Sequence, residues 1–273
     1  MILRPILVVA AAKRPGANRL PRPAWAAVEA TQLEPAENYW LIRQSDHAVL
    51  AGSLAARFVS PLFPKLDPEI VEAIGLHDAG WELLEPEKQP ASQLRFNGSG
   101  KPLSFFELGP ADFVPAWIAS IERAEKTSPI GALLASGHFC RLAAERSRRD
   151  QDKPEDAFRL REFLAGEALR RDRLIDRQPR NWPQIEKLVD VLQFCDLVSL
   201  YLCCGATEAV EFPAPFLDHP VRAQSAGGVY QFDPSPFNAP GAKAVAVRLA
   251  VKATRYPPAR AGAGPSSLPL MVR

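Results

Sequence analysis

Apolar residues recur at helical spacing through the middle of the chain. The segment that follows Asp46 is predicted to form a helix, because one of its faces carries Leu50, Ala51, Leu54 and Phe58. A second helix is predicted to begin at Asp67–Pro68, which have the residue types of an N-cap and a first turn, and to end at Gly80. Similar patterns predict helices over 110–126, 129–148, 155–176 and 183–204.

The pattern changes after Gly205. The stretches GVYQF and KAVAVRLAVKATRY are β-like, and WLIRQ near Trp40 offers a partner strand. We therefore predict a mainly α protein, a helical bundle with a small antiparallel sheet formed by the C-terminal segment and the strand near residue 40. The chain divides into an N-terminal extension (1–37), a helical domain (38–204), a β-rich segment packed on it (205–256) and a flexible, proline-rich tail (257–273).

Charge and hydropathy exclude several classes of function. The 273 residues include 33 Lys and Arg against 31 Asp and Glu, which leaves a formal charge of +2 and no basic field for nucleic acid. No run reaches the length of a membrane span, and the apolar run 6–12 is too short for a signal peptide. The four cysteines fit neither a disulfide framework nor a CxxC motif, which favours buried free thiols and a cytoplasmic protein.

The candidate chemistry lies in ionisable residues on apolar helix faces. They are His47, His77, Asp78, His138 and Asp196. An unpaired carboxylate is costly to bury, and the apolar stripes around Asp78 and Asp196 offer no Lys or Arg. Either Asp–His pairs form in the core, or one divalent cation gathers His47, His77, Asp78 and Asp196. Mixed imidazole and carboxylate ligands suit Fe, Mn, Zn or Co and leave positions for water and substrate.

These residues carry a resemblance to a known superfamily. The segment IVEAIGLHDAGW resembles the signature of HD domains, with His47 upstream and Asp196, in LQFCDLVSLYLC, downstream. The resemblance covers about residues 40–204. More narrowly, DHAVLAGSLA, HDAGW, KPLSF, ALLASGHF and LQFCDLVSLYLC are similar to an uncharacterised bacterial family of unknown function.

The HD resemblance implies a helical metal site that hydrolyses a small phosphorylated substrate, for example a nucleotide. It implies that His47, His77, Asp78 and Asp196 hold the first ion, that Asp78 bridges to a second one, and that His138 is a further ligand. Asp78 and His138 are the predicted catalytic residues. The implied cofactor is one or two divalent ions among Mn, Fe, Co, Zn and Mg.

The chain also departs from the HD pattern. Trp81 stands where many HD enzymes have a lysine after the HDxG turn, so a charge that meets phosphate is missing. Lys101 and Arg95, in RFNGSGKP, are the candidate substrate-binding cations in its place. Two alternatives stay open: a non-catalytic HD-like scaffold that binds a ligand or a metal, and an HD-type diiron oxygenase. The apolar segment 183–204 suits either a homodimer interface or the centre of the core.

Overall fold

The fold was analysed in a computed structural model that describes residues 1–6, 21–63, 65–86, 94–149, 152–237, 246–258 and 264–273. Within these residues the helices are α1 (Ala24–Leu33), α2 (Gln44–Ala55), α3 (Pro68–Leu76), α4 (Pro110–Thr127), α5 (Pro129–Arg148), α6 (Pro154–Ile175) and α7 (Trp182–Cys204). The strands are β1 (Ile2–Pro5), β2 (Arg22–Pro23), β3 (Tyr39–Ile42), β4 (Val210–Phe212), β5 (Val221–Ala226), β6 (Val229–Asp233), β7 (Val247–Tyr256) and β8 (Ser266–Val272). Short 3-10 turns cover Ala79–Leu83 and Phe105–Glu107.

The strands form one large mixed sheet, so the prediction of a helical bundle with a small antiparallel sheet was wrong. The strand order is β1-β3-β7-β8-β6-β5-β4-β2. The pairs β2–β4 and β6–β8 are parallel, and the others are antiparallel. The strand expected near residue 40 is β3, and it lies between β1 and β7. Because these pairings join segments far apart in the sequence, local patterns underestimated the sheet.

The tail predicted to be flexible contains β8, which pairs with β7 from Ser266 to Val272 and with β6 at its end. The N-terminal region also packs on the rest of the molecule. Ala24, Ala27 and Val28 of α1 are buried, and the side chain of Gln32 bonds to both backbone groups of Leu3 in β1. The part of the predicted N-terminal extension (1–37) that forms α1 is therefore packed on the rest of the molecule, and residues 7–20 lie outside the described residues.

Most of the helices lie where the sequence predicted them, and two of them begin at residues whose side chains cap the helix. Ser128 accepts a hydrogen bond from the Gly131 amide at the start of α5, and Asn181 forms a capping box with Gln184 at the start of α7. The predicted second helix is shorter than expected. It ends at Leu76, not at Gly80, with His77 as the C-cap, so the His-Asp pair lies where the helix gives way to a 3-10 turn.

Close helix contacts bring the polar residues together. A Cβ on Gly52 of α2 would lie 2.8 Å from the Cα of Gly75 in α3, and a Cβ on Gly80 would lie 2.3 Å from the Ala116 carbonyl oxygen of α4. Only glycine allows these approaches. Among the described residues, none of the helices combines the length and the apolar character needed to cross a bilayer. The four cysteines are buried and free, as predicted.

Candidate metal centre

Four of the predicted ligands converge in the helical layer. One ligand atom from each of His47, His77, Asp78 and Asp196 lies within 4.8 Å of every other. Asp196 Oδ1 lies 3.0 Å from His47 Nε2 and 3.2 Å from His77 Nε2. Asp78 Oδ2 lies 3.5 Å and 3.6 Å from the same two nitrogen atoms. The two imidazoles and two carboxylates therefore alternate around one centre.

The main-chain context positions each ligand. His47 lies in the first half of α2, His77 and Asp78 follow α3 directly, and Asp196 lies in the middle of α7. The turn that carries Asp78 is held against α4, because the Gly80 amide donates to the Ser120 hydroxyl at 2.9 Å. The ligands thus come from well-packed elements, which favours a preorganised site.

The hydrogen bond at the other side of His77 determines which of its nitrogen atoms faces the centre. Nδ1 lies 2.8 Å from the Ile74 carbonyl oxygen, which can only accept, so Nδ1 carries the hydrogen. In the neutral imidazole, Nε2 then presents a lone pair to the carboxylate of Asp196, which is repulsive. A proton between His77 Nε2 and the carboxylate, or a cation among the four groups, removes this repulsion. Orientation by a backbone carbonyl is common for histidine ligands of metals.

The distances among the ligand atoms fit one metal ion. Bonds of about 2.0–2.2 Å from zinc-like ions to nitrogen and oxygen imply that neighbouring ligand atoms are about 3.0–3.5 Å apart. The four distances between imidazole nitrogen and carboxylate oxygen are 3.0, 3.2, 3.5 and 3.6 Å. The donor set of two imidazoles and two carboxylates suits Mn, Fe, Co or Zn better than Mg, which prefers oxygen.

In the metal-free protein, the neighbouring carboxylates stabilise the protonated form of the His77 imidazole. Burial alone lowers the pKa of His77, but Asp78 and Asp196 outweigh it and raise the pKa to about 9. Burial raises the pKa of Asp78, against the influence of His77 and His47. For Asp196 the hydrogen bonds from His47 and His77 overcome burial, and its pKa falls well below the usual range. The centre therefore holds net negative charge that a proton or a metal ion balances.

His138 lies beside this centre, but its distance to the nearest carboxylate oxygen is longer than those of His47 and His77. Its Nε2 is 3.9 Å from Asp196 Oδ2, and its ring is 5.4 Å from that of His77. The other nitrogen, Nδ1, is buried and has no hydrogen-bond partner among the described residues. Burial lowers the pKa of His138 to about 3, so the imidazole is neutral near pH 7. Three of the four histidines thus meet here, and the fourth, His219, is exposed.

The centre opens into a cavity of about 610 Å³. His47, Asp78, His138 and Asp196 line one part of it. Most of the remaining wall is aromatic or aliphatic, and it includes Trp81, which occupies the position after Gly80. The walls come from α1, α2, α4, α5, α7 and the two 3-10 turns. A substrate in this cavity would reach the proposed ligands directly.

The structure does not place the predicted substrate-binding cations at the cavity. Lys101 is buried, donates to the Gln32 carbonyl oxygen at 2.7 Å and pairs with Glu107 at 3.3 Å. Arg95 is exposed and binds Asp112 at 2.8 Å. Neither of them lines the cavity. Both assignments are therefore corrected, because these two side chains have partners of their own away from the cavity.

Sequence reasoning missed Gln44 and the aromatic walls. Gln44 lines the cavity three residues before His47, a spacing that places both side chains on the same face of α2. That spacing was a usable signal. Trp81 and Trp117 are both buried and both line the cavity. Two arginines that the sequence did not single out, Arg146 and Arg149, also line the cavity.

Comparison with known proteins bears on family membership alone. No curated protein and no solved structure matched the chain. One family model matches residues 32–253, which is more than half of the chain and spans all the proposed ligands. The chain belongs to the family described as "Protein of unknown function (DUF3891)".

Proposed function

We propose that the protein is a metal-dependent hydrolase of a small phosphorylated substrate, of the HD type suggested by the sequence resemblance. The observation that carries the proposal is the convergence of four ligand atoms within 4.8 Å beside an open cavity. His47, His77, Asp78 and Asp196 would hold the ion. When bound, a divalent ion of this kind lowers the pKa of water and polarises a phosphoryl oxygen.

The residues of the proposed site have different roles in binding the ion, the water and the substrate. His77 is oriented by the Ile74 carbonyl and does not line the cavity, so its role is to hold the ion. Asp78 and Asp196 line the cavity as well as the centre and can accept hydrogen bonds from water or substrate. His138 has a neutral imidazole whose Nδ1 has no hydrogen-bond partner among the described residues, so it can orient water or substrate by a hydrogen bond.

Metal content and phosphoesterase activity test this proposal together. The full chain is purified without chelator, its metals are quantified, and it is assayed with Mn, Fe, Co, Zn and Mg against a panel of phosphate esters. We expect a stoichiometric metal and phosphate release that chelator abolishes. Asp196→Ala and His77→Ala should lose both, whereas the exposed-residue controls Asp172→Ala and His219→Ala should keep both. Equal metal content in all four variants would overturn the assignment.

A diiron oxygenase is the second candidate, and His138 is the observation that favours it. A fifth ligand-type side chain at 3.9 Å from Asp196 could help to hold another ion, and an apolar cavity suits an organic substrate of an oxygenase. Two irons per chain and oxygen consumption would select this function. Metal binding without phosphate release or oxygen consumption would instead identify a non-catalytic scaffold.

A further inference from the structure

The walls of the cavity beside the metal centre are mainly apolar. Its aromatic residues are Trp25, Trp81, Phe105, Phe106, Phe113, Trp117, Phe139 and Phe194. Val28, leucines at 108, 142, 197 and 200 and two prolines complete the apolar wall. A ligand gains affinity in such a cavity by burying apolar surface of its own, because a purely ionic group would lose its hydration there.

The arginines that line the cavity already have anionic partners. Arg146 binds Asp152 through Nε and Nη2 at 2.6–3.0 Å. Arg149 lies 3.8 Å from Glu145 and 5.6 Å from the centre of the Trp25 ring. Two paired guanidinium groups offer little to a polyanion. The cavity therefore does not have the charge that a nucleoside triphosphate would need.

Gln44 is one of the polar side chains in the cavity wall that have an atom without a hydrogen-bond partner among the described residues. Gln44 is only 2% exposed, and its Oε1 is buried without a hydrogen bond among the described residues. Its backbone amide donates to Glu85 at 2.7 Å, which fixes the start of α2. A buried carboxamide without a partner is costly, and such groups are usually satisfied by a ligand or by water.

We infer that the substrate has an aromatic or branched aliphatic body and one compact polar end. The body occupies the apolar walls, and the polar end lies between the proposed ligands and the Gln44 side chain, which makes Gln44 a substrate-binding residue. The inference rests on the proposed function and narrows its substrate class from any phosphorylated molecule to a phosphate ester of an apolar alcohol or phenol.

Binding of two phosphonates tests the apolar part of this inference. Manganese-loaded protein is titrated calorimetrically with phenylphosphonate and with methylphosphonate, which share the metal-binding group and differ in the apolar body. We expect phenylphosphonate to bind about tenfold more tightly or better. Equal affinities, or tighter binding of pyrophosphate than of phenylphosphonate, would overturn the inference.

Matched leucine variants locate the binding site. Leu142 lines the cavity four residues after His138 and is 37% exposed, whereas Leu169 is 72% exposed on α6 and does not line it. Leu142→Ser should weaken phenylphosphonate binding severalfold and leave methylphosphonate binding unchanged. Leu169→Ser should change neither. If both variants bind phenylphosphonate as the wild type does, the apolar body lies elsewhere.

Gln44→Leu tests the polar part. This variant should retain the metal and should bind both phosphonates several-fold more weakly, because the carboxamide contacts the shared polar end. Unchanged affinity for both would remove Gln44 from the site. A binding loss confined to phenylphosphonate would also contradict the assigned contact.

Failure of the proposed function gives a different result from failure of the inference. If the chain retains no metal, the metal-free protein is titrated with the neutral probe 4-methylbenzyl alcohol, and quenching of tryptophan fluorescence is followed. Saturable quenching that Leu142→Ser weakens supports the apolar binding site without the metal. Absence of saturable binding in both forms of the protein overturns the inference itself.

Discussion

Gly52 of α2 and Gly75 of α3 cross at a distance that leaves no room for a side chain. A Cβ on Gly52 would lie 2.8 Å from the Cα of Gly75. Gly52 follows His47 by five residues, and Gly75 precedes His77 by two, so this crossing determines how closely the two imidazoles approach. Their ring centres are 5.2 Å apart.

Gly52→Ala should therefore destabilise the fold and weaken the metal centre. Overpacking of a close backbone contact costs about 1–3 kcal/mol, measurable as a lower free energy of unfolding in urea. The matched control is Gly166→Ala on α6, where a Cβ meets nothing within 4 Å. It should raise stability by up to about 1 kcal/mol through helix propensity. If the Gly52→Ala variant is as stable as the control, the two helices can move apart at this crossing without loss of stability.

Metal removal should lower stability through binding linkage. Since the ligands converge only in the folded protein, an ion at about 100 times its Kd adds about 2.7 kcal/mol. Thermal unfolding with and without chelator measures this difference. Asp196→Asn should abolish the shift, and Asp172→Asn should preserve it. A chelator-insensitive Tm in the wild type would contradict a metal centre.

In the metal-free protein, the buried histidines His77 and His138 together contribute most to the free energy of unfolding near pH 6.5. The pKa of His77 is about 9 when folded, against 6.5 ordinarily, so its contribution is complete below pH 6.5 and is lost as pH rises towards 9. The pKa of His138 is about 3, so the unfolded chain binds a proton that the folded one does not, and stability falls below pH 6.5. Each slope approaches about 1.4 kcal/mol per pH unit.

Urea unfolding of chelator-treated protein across pH 5.5–8 measures both slopes. His77→Gln should remove the alkaline one and His138→Gln the acidic one. Because a bound ion displaces the His77 proton, the metal-loaded protein should lack the alkaline slope, and metal affinity should rise with pH. Identical profiles for the wild type and both variants would contradict the assigned protonation states.

His138→Gln should separate metal binding from turnover. Its Nε2 lies 3.9 Å from the nearest Asp196 oxygen, so the four closer ligand residues should still retain the ion. Phosphate release should fall by about 100-fold if His138 orients the water or the substrate. Metal analysis and activity on the same preparation check this, with His219→Gln as the control. Loss of the metal together with activity would make His138 a ligand instead.

Gln44→Leu should raise the free energy of unfolding by about 1 kcal/mol, because it replaces a buried Oε1 that has no hydrogen-bond partner among the described residues by an apolar group of similar size. The same variant should bind phosphonates less tightly, as argued above. Gain of stability with loss of function is typical of polar groups that are kept for a ligand. A destabilised Gln44→Leu protein would show that the carboxamide has a structural partner.

The helices and the candidate ligands were predictable because their signals are local. Asp67–Pro68 and Ser128–Pro129 mark helix starts that the structure reproduces. The ligands were recognisable because a carboxylate such as Asp196, embedded in an apolar helix, requires a partner. The sequence did not reveal Gln44, because a single amide near a helix start has ordinary reasons to be there.

The sequence by itself determined which residues need one another: buried acids and imidazoles on separate apolar faces, without lysine or arginine beside them. Tertiary structure alone decided that four of them meet around one centre, since this depends on crossings such as Gly52 with Gly75. It also decided the size of the sheet, because strands such as β1 and β8 gain their hydrogen bonds only from distant segments. Local propensity reports the tendency of a segment, whereas pairing and convergence depend on the free energy of the whole chain.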